Sequence, residues 1–328
     1  MTALLEVRDL RVSFPLRGGV PFGRRPRLTA LEAVSFELER GETLGVVGES
    51  GCGKSTLARA ILALIPHQRG AVIWRGRELR RLKPRELRAL RRELQIVFQD
   101  PLDALNPRMT VGDIVAEPLR CFEPRLGPAE VRRRVDEMLT QVGLGPEHAR
   151  RYPHEFSGGQ CQRIGIARAM MLGPRLLVCD EPVSALDVSI QAQILNLLMA
   201  CKRDFGLSLI FISHNLSVVR RISDRILVLY MGRVVEIADA ESLCTAPRHP
   251  YSRALLDAVP LPDPRRERAR HRTPLAGELP SPLSPPSGCV FRTRCGRASE
   301  LCARLAPPLD DGGGGHLVAC HHPLEGEK

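Results

Sequence analysis

Aromatic residues are scarce in this sequence, 4 % of 328 positions with one tryptophan and three tyrosines. No aromatic platform interleaves the arginines, so stacking along a nucleic acid strand is not expected and no nucleic acid partner is assigned. Long apolar runs are missing as well. Even Leu207 to Ile212 falls far short of the roughly 20 apolar residues a bilayer-crossing helix needs, so any membrane role is expected to be peripheral. Residues Met1 to Leu10 lack the basic, apolar and small-residue order of a secretory signal, and the chain is expected to stay in the cytosol. There the ten cysteines would be reduced thiols, and any that cluster point to metal ligation ahead of disulfides.

Acidic residues are outnumbered, 37 Asp+Glu against 48 Lys+Arg, for a formal charge of +11. The excess gathers in Arg75 to Arg92, Arg132 to Arg134 and Arg265 to Arg272. A solvated basic face accounts for such runs; nucleic acid, anionic lipid or a polyanionic nucleotide would also match, and charge alone does not choose among them. A chain of this length, 43 % hydrophobic, suits one large domain with a smaller appendage.

Leu4 to Phe14 and Ala33 to Glu39 alternate apolar with polar residues, as half-buried strands of an antiparallel subsheet do. The pattern then changes. Thr43 to Gly48 is a short apolar strand running through glycines into Lys54 to Ile65, where apolar residues recur at helical spacing. The alternation continues with a helix over Gln160 to Met171, a strand over Leu176 to Cys179 and a helix over Ser189 to Asp204. A strand over Ser208 to Ile212, a helix over Asn215 to Arg221 and a strand over Arg225 to Tyr230 follow. Such crossovers predict an α/β fold with a mainly parallel, buried sheet. Met109 to Tyr152 reads as mostly helical, with Pro128 opening an amphipathic segment over Ala129 to Val142, and forms a helical insertion over about 105–172. Pro260 to Pro264, Pro274 and Pro280 to Pro286 mark a stiff connection, so the division is drawn at 1–260 and 261–328.

Gly48-Glu49-Ser50-Gly51-Cys52-Gly53-Lys54-Ser55-Thr56 fits the phosphate-loop pattern G-x-x-x-x-G-K-[ST], between a buried strand and a helix as that chemistry requires. Glycines let backbone N–H groups curl around phosphate oxygens, and the helix N-terminus adds positive dipole. Lys54 supplies a point charge, and Ser55 a hydroxyl for Mg²⁺. A chance glycine-rich turn is the competing reading, and the strand and helix on either side weigh against it. Leu176 to Glu181 is an apolar strand ending in two carboxylates at the edge where open α/β sheets place ligands. Asp180 is the expected Mg²⁺ holder and Glu181 the group that polarises the attacking water; a plain helix-capping role for Glu181 stays open.

On these residues the chain resembles the nucleotide-binding subunits of ABC transporters, P-loop ATPases. Phe156-Ser157-Gly158-Gly159-Gln160 is similar to the family's signature, Gln99 to its Q-loop, Ser184 to Asp187 to its D-loop and His214 to its switch histidine. The resemblance implies ATP held between one cassette's phosphate loop and its partner's Ser157, Gly158, Gly159 and Gln160. It implies that Gln99 contacts Mg²⁺ and that His214 helps organise the attacking water. Phe14 resembles the adenine-stacking aromatic, with a core role equally open. Asp180 to Gln193, His249-Pro250-Tyr251 and Gly277 to Pro282 further resemble the second ATPase subunit of dipeptide and oligopeptide importers. That resemblance implies a paralogous ATPase partner in a heterodimer, two membrane permeases and a periplasmic or extracellular substrate-binding protein, with this chain peripheral on the cytoplasmic face of the inner membrane. Two positions depart from the family pattern: Cys161 stands where an arginine is common, and Asn215 where an aspartate is common.

Cys289, Cys295, Cys302 and Cys320, spaced C-x5-C-x6-C-x17-C, fall in a short segment poor in large apolar residues. Four thiolates suit a [4Fe–4S] cluster, which the importer resemblance also implies; zinc, or reduced cysteines in a packed tail, remain alternatives. The other six, Cys52 and Cys179 among them, read as small space-filling residues. The expected activity is ATP hydrolysis driving peptide uptake. The same motor serving nickel chelates or opines, a soluble ABC-type ATPase acting on nucleic acid, and a metal-sensing regulator that merely kept the cassette are the rival readings.

Overall fold

Alternating side chains bury Leu5, Val7, Leu10 and Val12 in strand β1 (Leu5–Pro15), and the alternation skips one residue where Asp9 takes a positive φ of 45°. The skip is a bulge; it returns Leu10 to the core side without breaking the pairing with β2 (Arg27–Leu38). The structure, a computed structural model, describes residues 3–16, 27–259, 265, 277–311 and 313–324. It divides into two compact units, one from Met1–Leu38, Thr43–Arg80 and Ser213–Lys328 and the other from Glu39–Glu42 and Arg81–Ile212. The expected division at 260/261, Pro260 to Pro264, Pro274 and all of the Arg265 to Arg272 run but Arg265 lie outside the described residues.

In the first unit β1 and β2 join β4 (Arg69–Trp74) and β5 (Arg77–Glu78) in a sheet ordered β2-β1-β4-β5, with antiparallel pairing throughout. The chain enters β3 (Thr43–Val47), whose five residues are all buried, and leaves it through the phosphate loop into α1 (Lys54–Ile61).

The second unit holds α2 (Pro84–Leu90), β6 (Leu94–Val97), α3 (Val111–Phe122), α4 (Pro128–Gln141), α5 (Gly158–Met170), β7 (Leu176–Asp180), α6 (Val188–Phe205) and β8 (Ser208–Ile212). β6, β7 and β8 are parallel with β7 central, and every residue of β7 and β8 is buried. That is why both strands read as apolar runs rather than as alternation. The segment expected to be helical resolves into α3, α4 and a short 3-10 turn over Pro146–Arg150.

The chain then returns to the first unit through α7 (Leu216–Ile222), β9 (Arg225–Tyr230), β10 (Arg233–Asp239), α8 (Ala240–Thr245) and α9 (Pro250–Asp257). It finishes with α10 (Glu300–Arg304), β11 (Asp310–Asp311) and β12 (Leu317–Val318). Here β3 pairs in parallel with β9, while β9, β10, β12 and β11 continue antiparallel. The helix expected to reach Ile65 stops at Ile61, because Ala63 adopts a left-handed φ of 51° two residues later. The strand expected from Ala33 begins at Arg27, since its first residues pair with the end of β1. The mixed parallel and antiparallel sheets with flanking helices match the expected fold class.

Candidate functional site

In the first unit the Gly48 to Thr56 loop joins the buried end of β3 to the first turn of α1. Gly53 caps α1 with φ 108°, and a Cβ there would stand 2.5 Å from the Ala30 carbonyl oxygen, so a side chain is excluded by both space and conformation. Lys54 is buried, and its ammonium donates to the carbonyls of Gly48 at 2.8 Å and Glu49 at 3.0 Å. The lysine thus lies along the loop that its charge is meant to serve. Cys52 is 3 % exposed and burial pushes its thiol up to about 11, which leaves it an inert filler at neutral pH. The loop, the helix N-terminus, Lys54 and the Ser55 hydroxyl make a donor set that fits a magnesium nucleotide.

His214 is exposed at the start of a short turn, behind Ser213, whose N–H donates to the Val46 carbonyl at 3.1 Å. Asn215 next to it caps α7, its side-chain oxygen accepting from the N–H groups of Ser217 at 3.0 Å and Val218 at 3.4 Å. An aspartate would do the same, so this departure keeps the capping function. Phe14 is 38 % exposed near the end of β1 and is therefore not a core residue.

In the second unit Gln99 is exposed two residues beyond β6. Asp180 ends β7 buried at 3 % exposure, in register with Ile212 of β8. Glu181 follows with a φ of 47°, a conformation a non-glycine residue enters at a cost of about 1–3 kcal/mol. It is held there by its N–H donating to the Ile212 carbonyl at 3.0 Å and by its own carbonyl accepting from the Ser184 hydroxyl at 3.1 Å. Asp187, exposed, stands at the N-terminus of α6 with no side-chain capping bond of its own.

Ser157 caps α5 in a reciprocal arrangement. Its hydroxyl accepts from the Gln160 N–H at 3.4 Å, and the Gln160 side-chain oxygen accepts from the Ser157 N–H at 3.0 Å. The exposed Gly158 leaves the helix N-terminus open, whereas Gly159 is buried and a Cβ on it would stand 2.5 Å from Ile190 Cγ2 of α6. Cys161 is fully buried with its sulfur 3.5 Å from the Pro153 carbonyl oxygen, and burial raises its pKa. This departure therefore faces the interior of the unit and leaves the exposed edge of the signature unchanged.

Tyr251 of α9 and Arg294, both in the first unit, reach the phosphate loop. The N–H of Glu49 donates to the Tyr251 hydroxyl at 2.9 Å, and Arg294 pairs with the Glu49 carboxylate. Nothing local in the sequence announces either contact, because the partners lie 202 and 245 residues apart. The buried carboxylate of Glu236 on β10 accepts from the N–H groups of Arg248 at 2.7 Å and His249 at 3.0 Å and meets His316 Nε2 at 2.6 Å. His249 in turn accepts the Tyr251 N–H on Nδ1 at 3.0 Å and so caps α9.

All ten cysteines are free thiols. Cys289, Cys295, Cys302 and Cys320 act electrostatically on one another, and burial raises the thiol pKa of Cys289, Cys295 and Cys320, the last to about 11. Among the described residues, however, no three His, Cys, Asp or Glu side chains form a group able to hold a metal ion. The expected [4Fe–4S] or zinc site therefore gains donor chemistry from this lobe but no ligand geometry. Among the described residues no helix is long and apolar enough to cross a membrane.

Residues 31–184 match the family model described as ABC transporter, and residues 235–302 the one described as oligopeptide/dipeptide transporter, C-terminal region. The chain is 56 % identical over 319 residues to the oligopeptide transport ATP-binding protein OppF of Escherichia coli (strain K12), a match covering 97 % of this chain and 95 % of that one. It is 50 % identical over 327 residues to the di/tripeptide transport ATP-binding protein DppF of Pseudomonas aeruginosa (strain UCBPP-PA14), covering 98 % of each. Among solved structures it resembles the dimeric post-hydrolysis ATP-binding cassette MJ0796 bound to ADP and Pi, with a TM-score of 0.64 and 29 % identity over 72 % of this chain and 98 % of that one.

Proposed function

The chain belongs to the ATP-binding subunits of ABC transporters, and from that premise we propose that it hydrolyses ATP to drive uptake of dipeptides or oligopeptides. The observation that carries the reading is the continuous likeness to OppF, which runs past the cassette through the C-terminal region. Its working partners are a paralogous ATPase, two membrane permeases and a substrate-binding protein outside the membrane, with this chain peripheral on the cytoplasmic face of the inner membrane.

In this proposal the loop of Gly48 to Thr56 wraps the phosphates, Lys54 moves its charge from the Gly48 and Glu49 carbonyls to the outer phosphates, and Phe14 stacks on adenine. Ser55, Gln99 and Asp180 would hold Mg²⁺, which when bound would supply neutralisation of the phosphate charge. Glu181 orients and deprotonates the attacking water and His214 steadies the γ-phosphate, so that the strained Glu181 backbone serves to aim a general base. Ser157, Gly158, Gly159 and Gln160 present an open helix N-terminus to the nucleotide of the partner cassette, and Asp187 meets that cassette across the same interface. The dimeric arrangement of the MJ0796 cassette supports this pairing. Binding closes the pair, hydrolysis removes the shared γ-phosphate, and the helical insertion over about 105–172 passes the motion to the permeases.

A [4Fe–4S] cluster on Cys289, Cys295, Cys302 and Cys320 is a finer proposal supported by their C-x5-C-x6-C-x17-C spacing and their free thiols. Absorbance near 400 nm with matching iron after anaerobic purification tests it, and colourless, iron-free protein removes it. For the ATPase itself the test is Glu181→Gln. The variant should lose turnover by roughly 10²–10⁴-fold while retaining ATP and accumulating as a closed dimer. Wild-type turnover in that variant overturns the role of Glu181. Undiminished uptake of labelled tripeptide by cells lacking the chain overturns the cargo.

A further inference from the structure

Glu49 is an odd residue to find in a loop built for phosphate, since its carboxylate repels the oxygens the loop should collect. Its three handles are all occupied. The backbone N–H is taken by the Tyr251 hydroxyl at 2.9 Å, and the backbone carbonyl by Lys54 Nζ at 3.0 Å. The carboxylate is gripped by the Arg294 fork, with Nη1 at 2.7 Å from Oε2 and Nη2 at 3.1 Å from Oε1. The Arg294 side chain is 8 % exposed against 27 % for Glu49, so the guanidinium is committed to this partner; a cation buried to that degree cannot be left unpaired cheaply.

Arg294 is itself held from behind. Its N–H donates to the Phe291 carbonyl at 3.0 Å, and the buried Phe291 ring packs edge-on against Tyr230 at 5.2 Å and tilted against Tyr251 at 5.4 Å between centroids. Tyr230 and Tyr251 are in turn 4.7 Å apart. The fork therefore approaches Glu49 from a rigid aromatic wedge, and Tyr251 of that wedge also holds the Glu49 backbone.

We propose that Arg294 is a positioning residue for nucleotide binding: it pins and neutralises the Glu49 carboxylate, so that the C-terminal region sets the affinity of the phosphate loop for ATP. The proposal rests on the ATPase reading above. Without the guanidinium, the Glu49 charge is released beside the phosphates and the loop loses one of its two outside supports.

The test is a titration of the full-length chain with a fluorescent ATP analogue and Mg²⁺, alongside KM and kcat for ATP and thermal melting of the same preparations. Arg294→Ala should weaken binding and raise KM about tenfold while kcat at saturation stays within about twofold. Arg294→Lys, which keeps the charge and loses the fork, should fall between the two. Adding Glu49→Gln to Arg294→Ala should recover at least half of the lost affinity on a logarithmic scale, a rescue that a merely structural arginine would not give. Wild-type affinity in folded Arg294→Ala, or a double variant no better than the single, overturns the proposal. Should Arg294→Ala fail to fold, Arg294→Lys decides: weakened binding at an unchanged melting temperature supports the clamp, and unchanged binding refutes it. Lys54→Ala separates the two readings. If wild type and Lys54→Ala bind nucleotide equally poorly the ATPase reading fails, and with it the clamp; if only the Arg294 and Glu49 variants show no effect, the clamp alone fails.

Discussion

Acidification should loosen the first unit through one buried imidazole, and the size of the effect follows from its surroundings. His249 is 1 % exposed, and its Nδ1 accepts the Tyr251 N–H at 3.0 Å, so the ring sits neutral in the native fold. Burial drives its pKa from 6.5 down to about 4, against a smaller upward pull from the Glu236 charge. An unfolded chain protonates this histidine near its ordinary value. Above pH 6.5 the two states therefore bind the same protons at this site and it contributes no pH dependence. Between 6.5 and about 4 the unfolded state binds more, stability is lost as pH falls, and below the folded value the loss is complete. At about 1.4 kcal/mol per pH unit the total is about 3 kcal/mol, or roughly 5 °C in melting temperature for a chain of this size. The assay is a series of thermal melts from pH 7.5 to 4 on wild type and His249→Asn. The asparagine keeps a side-chain oxygen for the Tyr251 N–H but cannot titrate, and the carboxylates that also respond to acid are common to both proteins. The wild-type advantage at pH 7.5 should shrink by about 3 kcal/mol at pH 4. Curves that stay parallel across this range would refute the reasoning.

Substitutions at Gly53, Gly159 and Asn215 test the loops and caps. Gly53→Ala should abolish nucleotide binding in the fluorescence titration and cost about 2 kcal/mol or more in melts, because the added Cβ meets the Ala30 carbonyl oxygen at 2.5 Å and φ is 108°. Gly159→Ala should destabilise by about 1–3 kcal/mol through Ile190 Cγ2 at 2.5 Å, and Ile190→Ala in the same chain should restore part of the loss; no restoration means the clash is not the cause. Asn215→Asp should melt within about 0.5 kcal/mol of wild type and Asn215→Ala about 1 kcal/mol below it, since the two capping oxygens are interchangeable and alanine has none.

What was legible in the sequence was what the chain does within a few consecutive residues. The Gly48 to Thr56 loop and the Ser157/Gln160 cap are closed by bonds between near neighbours, and the approach to Asp180 and Glu181 is a run of consecutive buried apolar residues, so local sequence carried them. Phe14 was ambiguous because β1 alternates, and a bulge at Asp9 that changes the phase of the strand leaves no trace in composition. The short strands β11 and β12 escaped for another reason. β12 pairs with β10 across a gap of some eighty residues, Glu236 with Val318 and Ile237 with Leu317, β11 adds on to β12, and two-residue strands have no period to read. The grip of Arg294 on Glu49 is more remote still, and the arginine sits beside Cys295, where the cysteine spacing draws the eye to a metal instead.

The triplet His249-Pro250-Tyr251 shows how a sequence mark can be functional without touching the chemistry. His249 caps α9, Pro250 occupies its first turn where no N–H is needed, and Tyr251 extends from the helix so started to the Glu49 N–H. Glu236 fixes the entry to this helix by accepting from Arg248 and His249, and the same carboxylate meets His316. Glu49 falls within the stretch matched as ABC transporter, Tyr251 and Arg294 within the stretch matched as the transporter C-terminal region. Two segments that are recognised separately are thus joined at the loop that binds nucleotide. A change anywhere along the Glu236, His249, Tyr251 path should therefore reach ATP affinity before it reaches the catalytic carboxylate, and Tyr251→Phe, which removes one hydroxyl and no ring, should raise KM for ATP by a few-fold with kcat preserved. If that variant instead lowers kcat at unchanged KM, the C-terminal region acts on hydrolysis and not on binding.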